Sequence, residues 1–446
     1  MTNLINSGHF QQTDQLPKKG TQFNIDRQLS HIPRWVDNNL ASESMSQRVG
    51  YIRVLGNRGF FFLWSATLIS RTGDYLLSIA MIWFVYGILT HNPLYAGLIT
   101  AFYYIPNFIF APYFGRIVDT YSRKKVMIVA TLMQFIFAIM LYASVALKFM
   151  ILDFSFVSVF AIATFGMLVS ISRSSSIPLA VSREELTAAN SLQQATTQLT
   201  RIFGYAAGGI LLLLISIKGI IAIEIAIFLL SSLILSMMKI RSSPESSRRK
   251  SSLDGFRYIR NEKLFFEIVI FLSIVNFTGA GMTVLPAIMS RTVFSSGSSL
   301  FVSILVSLAI GTVAGNYAVT RFRIGLVAGK ILIATNAIDA LLYVLFAYSP
   351  SPLFATAAAA AIGFVEGISI VPFVTLIQAK TPNDRLGSVL AALSMLLLGS
   401  ASLSMISSGF LVSLVGVKAV YILFAIVLVI MSAVGMNMKE LRNASY

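Results

Sequence analysis

The sequence predicts an all-α membrane protein: twelve transmembrane helices in two six-helix halves. Three observations carry that expectation. Of the 446 residues 56% are hydrophobic and only 12% charged, whereas a soluble domain is roughly a quarter charged. The hydrophobic residues gather in runs of roughly 18 or more, long enough to cross a bilayer as a helix. These runs lack the every-second-residue alternation of a membrane β-barrel. Finally, landmarks of the first half return in the second about 200 positions later.

Taken in order, the spans are expected at 59–89, 94–115, 125–148, 153–178, 190–217, 219–238, 264–289, 298–320, 328–348, 352–378, 384–414 and 416–437. Several exceed the roughly 20 residues of a perpendicular crossing. Tilt, or protrusion beyond the bilayer, accounts for the excess. Residues 1–58 read as a polar cytoplasmic tail with no continuous apolar stretch and no signal peptide. Ile32, Trp35 and Val36 give that tail a weak apolar patch. Residues 59–238 and 264–437 are the two six-helix bundles, the basic segment 239–263 joins them, and 438–446 is a short C-terminal tail.

The net charge of +16 is not spread evenly. With the N-terminus inside, 29 of the 34 Lys and Arg residues fall in inner loops, their flanks and the two tails. The outer side holds Lys148, Lys218, Arg291 and Lys418, and Arg71 lies within span 1. Basic residues accumulate on the cytoplasmic side of membrane proteins. Both termini are therefore expected in the cytoplasm, in a multi-pass protein of the plasma membrane. The positive charge reads as topogenic, and no nucleic-acid partner is expected. Cysteine is absent, which excludes disulfides, zinc thiolates and cysteine nucleophiles. His9, His31 and His91 share no ligand spacing, so no metal or cofactor is expected. The string "GLVAGKI" (325–331) has too few residues between its glycines to cradle a phosphate.

The internal repeat rests on paired landmarks. Gly115 closes span 2 and Gly315 closes span 8, 200 positions later. Ser182 opens span 5 and Thr381 opens span 11, at an offset of 199. Ser182 with Glu185 reads as a capping box, and Thr381, Pro382 and Asp384 read as an N-cap, a first-turn proline and an early acid. Parallel repeats of this kind hold their binding site between the halves, near the midplane.

The segment "GRIVDTYSRKK" (115–125) lies in the inner loop between spans 2 and 3. Gly115 is expected to let two helices approach closely. Asp119 sits near a helix C-terminus, where an acid needs cations or a neighbouring helix N-terminus. Arg123 and Lys124 would supply the cations and the start of span 11 the dipole, latching the halves together on the cytoplasmic side. The plainer alternative is a topogenic turn.

With Gly115, Asp119, Ser122, Arg123, Lys124 and Lys125 in place, this segment resembles the signature loop of the major facilitator superfamily. The second-half copy keeps Gly315, Arg321 and Arg323 but has Val319 where the acid would stand. The strings "ISRTGDYLL", "IPLAVSREELTAANSL" and "SLDGFRYIRNEKLF" resemble the drug and macrolide efflux branch, which includes siderophore exporters. "GYAAGG", with Gly204, Gly208 and Gly209, resembles the span-5 antiporter motif, with Tyr205 in place of its proline. The resemblance covers about residues 55 to 437. It implies the twelve-helix fold, alternating access, and a central cavity lined by spans 1, 4, 7 and 10.

An ionised side chain at the bilayer centre costs roughly 2.5–3.5 kcal/mol, so such residues are candidates for function. They are Arg71 and Asp74 in span 1, Glu224 in span 6, Asp339 in span 9 and Glu366 in span 10. Thr67, Ser70, Arg71, Asp74 and Ser78 recur at helical steps and share one face, which must look into the bundle. Arg71 and Asp74 stand three apart. They are either a neutralising pair or a proton-binding acid with an arginine that senses it. Glu366 is flanked by Gly363 and Gly367 and followed by Pro372, residues that weaken a helix and free backbone to line a cavity. The resemblance favours Asp74 and Glu366 and assigns Glu224 and Asp339 to packing or an interface. Asn276 and Thr283 share a face of span 7, facing a ligand or bonding between helices. Asn190, Gln194, Gln198 and Arg201 form a polar stripe leading to Tyr205. Trp83, Phe84, Tyr103, Tyr104 and Phe108 suit an apolar cavity, an interface belt or the core.

With no nucleotide site, uphill transport must draw on an ion gradient, and acids beside a cavity suit protons. The expected protein is a monomeric secondary transporter, not an enzyme. Its partners are a small-molecule substrate, protons and the lipid bilayer, and it exports lipophilic or amphipathic molecules by alternating access. One rival is an exporter or importer of a specific polar metabolite or siderophore. Another is a membrane enzyme or receptor, which would need a His/Asp or Ser/His constellation in the spans.

Overall fold

A computed structural model describes residues 53–182, 185–238, 252–322, 327–382 and 385–445. The expectations for residues 1–52, and for Asp384, lie outside the described residues. Span 1 (Arg58–Trp83) starts at Asn57, whose side-chain oxygen accepts from the Gly59 and Phe60 amides at 3.0 and 3.3 Å. Its side-chain amide donates to the Ala180 carbonyl at the end of span 4. Span 1 continues as a π-helix, Phe84–Thr90, and stops at His91, whose φ of 56° is left-handed.

Span 2 departs from the single helix expected at 94–115. It consists of three short helices, Pro93–Phe102, Ile105–Ile109 and Ala111–Thr120. Pro106 and Pro112 explain the breaks, because each lacks an amide hydrogen and its ring clashes with the carbonyl four residues back. The remaining spans match expectation to within a few residues: Arg123–Leu147, Ile151–Ala180, Leu186–Leu214 and Ile217–Met237 in the first half. In the second they are Lys263–Ala280, Ser298–Phe322, Ala328–Ala347, Pro352–Lys380, Leu386–Val415 and Val417–Asn437. Span 7 extends through a 3-10 turn, Gly281–Thr283, into a further helix, Leu285–Thr292. Among the described residues, eleven helices are long and apolar enough to cross a membrane, and the broken span 2 supplies the twelfth crossing.

The halves meet through related pairs: span 2 on span 11, and span 5 on span 8. This is the pairing a two-fold repeat produces. Contact concentrates at the end carrying residues 90–93, 293–298 and 416. There Trp83 stacks on Phe301 at 5.9 Å between ring centres, and the Arg291 guanidinium donates to the Gly87 carbonyl. Trp83, Tyr86, Met282, Phe301, Tyr421 and Phe424 belong to one buried apolar cluster that draws on both halves. Trp83 is thus a core residue, and Phe84 is buried in a separate apolar cluster within the first half. Toward the other end the halves part. Helix Ala111–Thr120 packs on span 4 of its own half, and a β-carbon on Gly115 would meet nothing within 4 Å. The close approach expected at Gly115 is absent, whereas its counterpart Gly315 packs against the Phe364 carbonyl and Gly367.

Two segments read as loop or tail are structured. Ser252–Asn261, within the connecting segment, is a helix packed on span 11, with Gly255 against the Ser388 backbone and Arg385 over the Tyr258 ring. The C-terminal tail forms a short helix, Lys439–Arg442. Glu267 accepts from the Leu441 amide at 2.9 Å, the Gly329 amide donates to the Ala444 carbonyl at 3.1 Å, and Leu441 is fully buried.

The expected caps divide. The Ser182 amide donates to Glu185 Oε2 at 3.0 Å, one arm of the capping box. Thr381 instead ends span 10, its hydroxyl donating back to the Ile377 carbonyl at 2.6 Å. That bond turns its oxygen toward the preceding helix rather than the start of span 11.

Candidate functional site

A cavity of about 800 Å³ lies between the halves. Arg71, Asp74, Asn276, Thr283 and Glu366 all line it, together with Ser78, Tyr103, Tyr104, Arg201 and Tyr205. Asp339 lines it as well, although the resemblance placed its span outside the cavity. Its Oδ1 is buried without a hydrogen-bond partner, and Asp339 and Glu366 interact electrostatically. The side chains of Phe108, Gln194 and Gln198 lie outside the described part of the molecule.

The span-1 face is organised by its neighbours. Arg71 Nη2 donates to the Ser170 hydroxyl at 2.8 Å, and Arg173 Nη2 donates to the same oxygen at 3.1 Å. Among the described residues, the ion pair formed within 4 Å is Arg53–Glu185. The neutralising Arg71–Asp74 pair is therefore not made, because span 4 offers Arg71 an acceptor. Arg173, counted with the inner-loop charges from sequence, lies inside span 4 and is only 5% exposed.

Glu224 stands one layer behind this wall. It is fully buried, and neither of its oxygens has a hydrogen-bond partner. A β-carbon on Gly73 would fall 2.5 Å from Glu224 Oε2, so the carboxyl occupies space that only glycine leaves open. Asp74 acts on it electrostatically. The first half thus holds Asp74 with Glu224, and the second holds Glu366 with Asp339.

Glu366 Oε1 would lie 3.9 Å from a β-carbon on Gly279 of span 7. A basic residue of the other half, Arg201 of span 5, interacts with it electrostatically. Span 10 remains helical through Pro372. Gly363 and Gly367 pack against the Leu308 and Thr312 carbonyls of span 8. They serve close helix packing rather than the helix loosening expected. Asn276 donates to the Leu397 carbonyl at 2.8 Å and the Ser400 hydroxyl at 2.9 Å, tying span 7 to span 11 at the cavity edge.

The glycines of "GYAAGG" are packing positions. Gly204 and Gly208 fit against Tyr75 and Leu76 of span 1, and Gly209 against Val302 of span 8. Tyr205 meets Tyr75 edge to face at 5.3 Å. In the signature loop, Lys124 Nζ donates to the Ser236 carbonyl at 2.6 Å and so caps the end of span 6. The Asp119 side chain lies outside the described part, and with it the expected latch.

Two helical halves around a central cavity with ionisable walls define the class: a polytopic membrane protein built to handle a solute between two bundles. The model of the Major Facilitator Superfamily matches residues 63–404, and the chain belongs to that family. It is similar to the MFS-type transporter YfiS of Bacillus subtilis (strain 168), at 22% identity over 404 residues, covering 87% of this chain and 94% of the relative. It is also similar to the enterobactin exporter EntS of Escherichia coli O127:H6, at 24% over 312 residues, covering 68% and 73%. Among solved structures, an inward-facing bacterial homologue of the lysosomal transporter Spinster superposes with a TM-score of 0.69 at 13% identity, covering 86% of this chain and 97% of that one. The nucleoside transporter NupG gives 0.62 at 16%, covering 85% and 98%. These structures share the fold. Family and neighbours are membrane transporters, not enzymes.

Proposed function

We propose that this protein is a secondary transporter that exports amphipathic or lipophilic small molecules in exchange for protons. The observation that carries the reading is one cavity, closed at one end by packing between the halves and lined by ionisable residues from both. Under the basic-residue asymmetry of the sequence, the closed end faces outward. The protein then sits in the plasma membrane with both termini in the cytoplasm, and the cavity opens inward. Rocking of 59–238 against 264–437 would part the Gly97–Gly409 and Gly209–Val302 contacts and open the other side. Each chain holds a whole cavity, so the working unit is the monomer. Glu366 is assigned the transported proton, and Asp74 with Arg71 the gate or the recognition of charge on the substrate. The enterobactin exporter among the relatives favours a second reading, export of a specific polar metabolite or siderophore.

Purified protein in liposomes with an imposed pH gradient tests this. Lipophilic cations, macrolides and siderophores are offered in turn. Accumulation of one against its gradient, collapsing with the pH gradient, is expected. Movement of every compound only to equilibrium would remove the proton exchange.

A further inference from the structure

We propose that Arg71 and Ser170 in the cavity wall, backed by the buried Arg173, form an anion subsite, which takes the carboxylate or phosphate group of the transported molecule. The inference rests on the transport reading above and specifies the chemistry of what is carried.

Two guanidinium groups from different spans converge on one hydroxyl oxygen, at 2.8 and 3.1 Å. Like charges brought together inside a membrane repel strongly unless an anion lies between or beside them. Asp74 interacts with both, yet it forms no ion pair with either within 4 Å. Arg173 Nε is buried with no hydrogen-bond partner in a side chain only 5% exposed. It lies behind the cavity wall, beside Thr67 and Ser70, and adds positive charge to the subsite from there. Arginine's planar fork matches carboxylate and phosphate oxygens in pairs. The Ser170 hydroxyl occupies the place of one such oxygen and sets the spacing of the two forks. Arg71 and Ser170 face the cavity directly, while Arg173 stands behind them.

The cavity as a whole is bipolar. The opposite wall carries the carboxyl groups of Asp339 and Glu366, and the arginines that line the cavity, Arg71 and Arg201, belong to the first half, so an anion finds its counter-charge on the arginine side. Glu366 stays free to exchange a proton while the anion occupies the arginines.

The test uses the full chain in nanodiscs of zwitterionic lipid, titrated by fluorescence with dansylglycine and with its neutral amide. The acid should bind about tenfold more tightly than the amide, the size of one charge-assisted bond. Arg71→Gln should reduce that preference to within about twofold, with an unchanged melting temperature showing that it still folds. Arg71→Lys should retain part of the preference. Dansylglycine should raise the melting temperature of the wild type but not of Arg71→Gln. Added phosphatidylglycerol that competes with the probe would identify a lipid headgroup as the occupant. Absence of competition would identify a soluble anion, and both results keep the subsite. No binding of the acid, equal affinity for acid and amide, or a preference unchanged in Arg71→Gln overturns the assignment. These measurements involve no pH gradient, so the subsite and the proton exchange fail separately.

Discussion

Gly97 of span 2 and Gly409 of span 11 touch across the two halves. A β-carbon on Gly97 would lie 3.2 Å from the Gly409 Cα and 2.3 Å from the Met405 carbonyl oxygen. Both obstacles are backbone, so neither can turn aside as a side chain would. The contact is therefore a property of the closed end itself, and it identifies a position at which the conformational balance can be shifted.

Gly97→Val should force the halves apart at this end. Overpacking costs about 1–3 kcal/mol, enough to move a two-state equilibrium by about 5- to 150-fold. The chain has no cysteine, so a single cysteine at Ser78 in the cavity reports its own exposure. An impermeant thiol reagent should reach it from outside much faster in the Gly97→Val background. Equal labelling rates would show that the closed end yields without opening the cavity.

Asp339 is where the structure and the sequence disagree most usefully. Asp339→Asn should lower transport by about tenfold or more while changing stability by no more than about 1 kcal/mol, since its Oδ1 has no hydrogen bond to lose. Ile338, on the exposed side of the same helix, serves as the control, and Ile338→Ala should transport normally. A large loss of stability with transport intact would return Asp339 to a packing role.

Much of the fold was legible because span ends are set by hydropathy and by local chemistry. Asn57, Asn92 and Ser351 cap helices where the apolar runs begin, and the predicted limits fall within a few residues of them. The break in span 2 was also available from Pro106 and Pro112, but its mean apolarity hid it. The candidate site was half legible. Helical spacing put Arg71, Asp74 and Ser78 on one face. It said nothing about Ser170, which comes from a span 99 positions away and decides where Arg71 points. Arg173 was counted with the flanks of the inner loops because it lies seven residues from the end of span 4. The docking of the C-terminal tail depends on single contacts from Glu267 and Gly329, and a segment that short carries no periodicity to read.

Glu185 gives a pH test outside the membrane. The Ser182 amide, and then Arg53 Nε at 3.2 Å, hold its carboxyl below the usual carboxylate range. A value lowered by folding stabilises above the ordinary range and loses that stabilisation as pH falls through the lowered value. Arg53 is 72% exposed, so the pair contributes at most about 1 kcal/mol. Thermal unfolding of Glu185→Gln should show a gap from wild type at neutral pH that closes by about pH 3. A gap that persists in acid would indicate packing rather than charge.

The proposed orientation rests on the basic residues and can be checked in intact cells. Single cysteines at Gly20, Ser247 and Ser445 should resist an impermeant thiol reagent. Ser445 is the reporter of choice at the C-terminus because it is exposed, whereas Ala444 is buried against the bundle. Labelling of any of the three from outside would reverse the orientation and, with it, the direction in which the cavity opens.

The central claim is that an acid in the cavity couples proton movement to transport. Glu366→Gln, in proteoliposomes with the best substrate from the panel, tests it most directly, because the amide imitates the protonated acid. The account predicts that substrate exchange at equilibrium survives within about threefold while accumulation driven by a pH gradient falls by about a hundredfold or more. Asp74→Asn should impair exchange itself. Full pH-driven accumulation by Glu366→Gln would contradict the account, and would move the proton to another group or remove it from the mechanism.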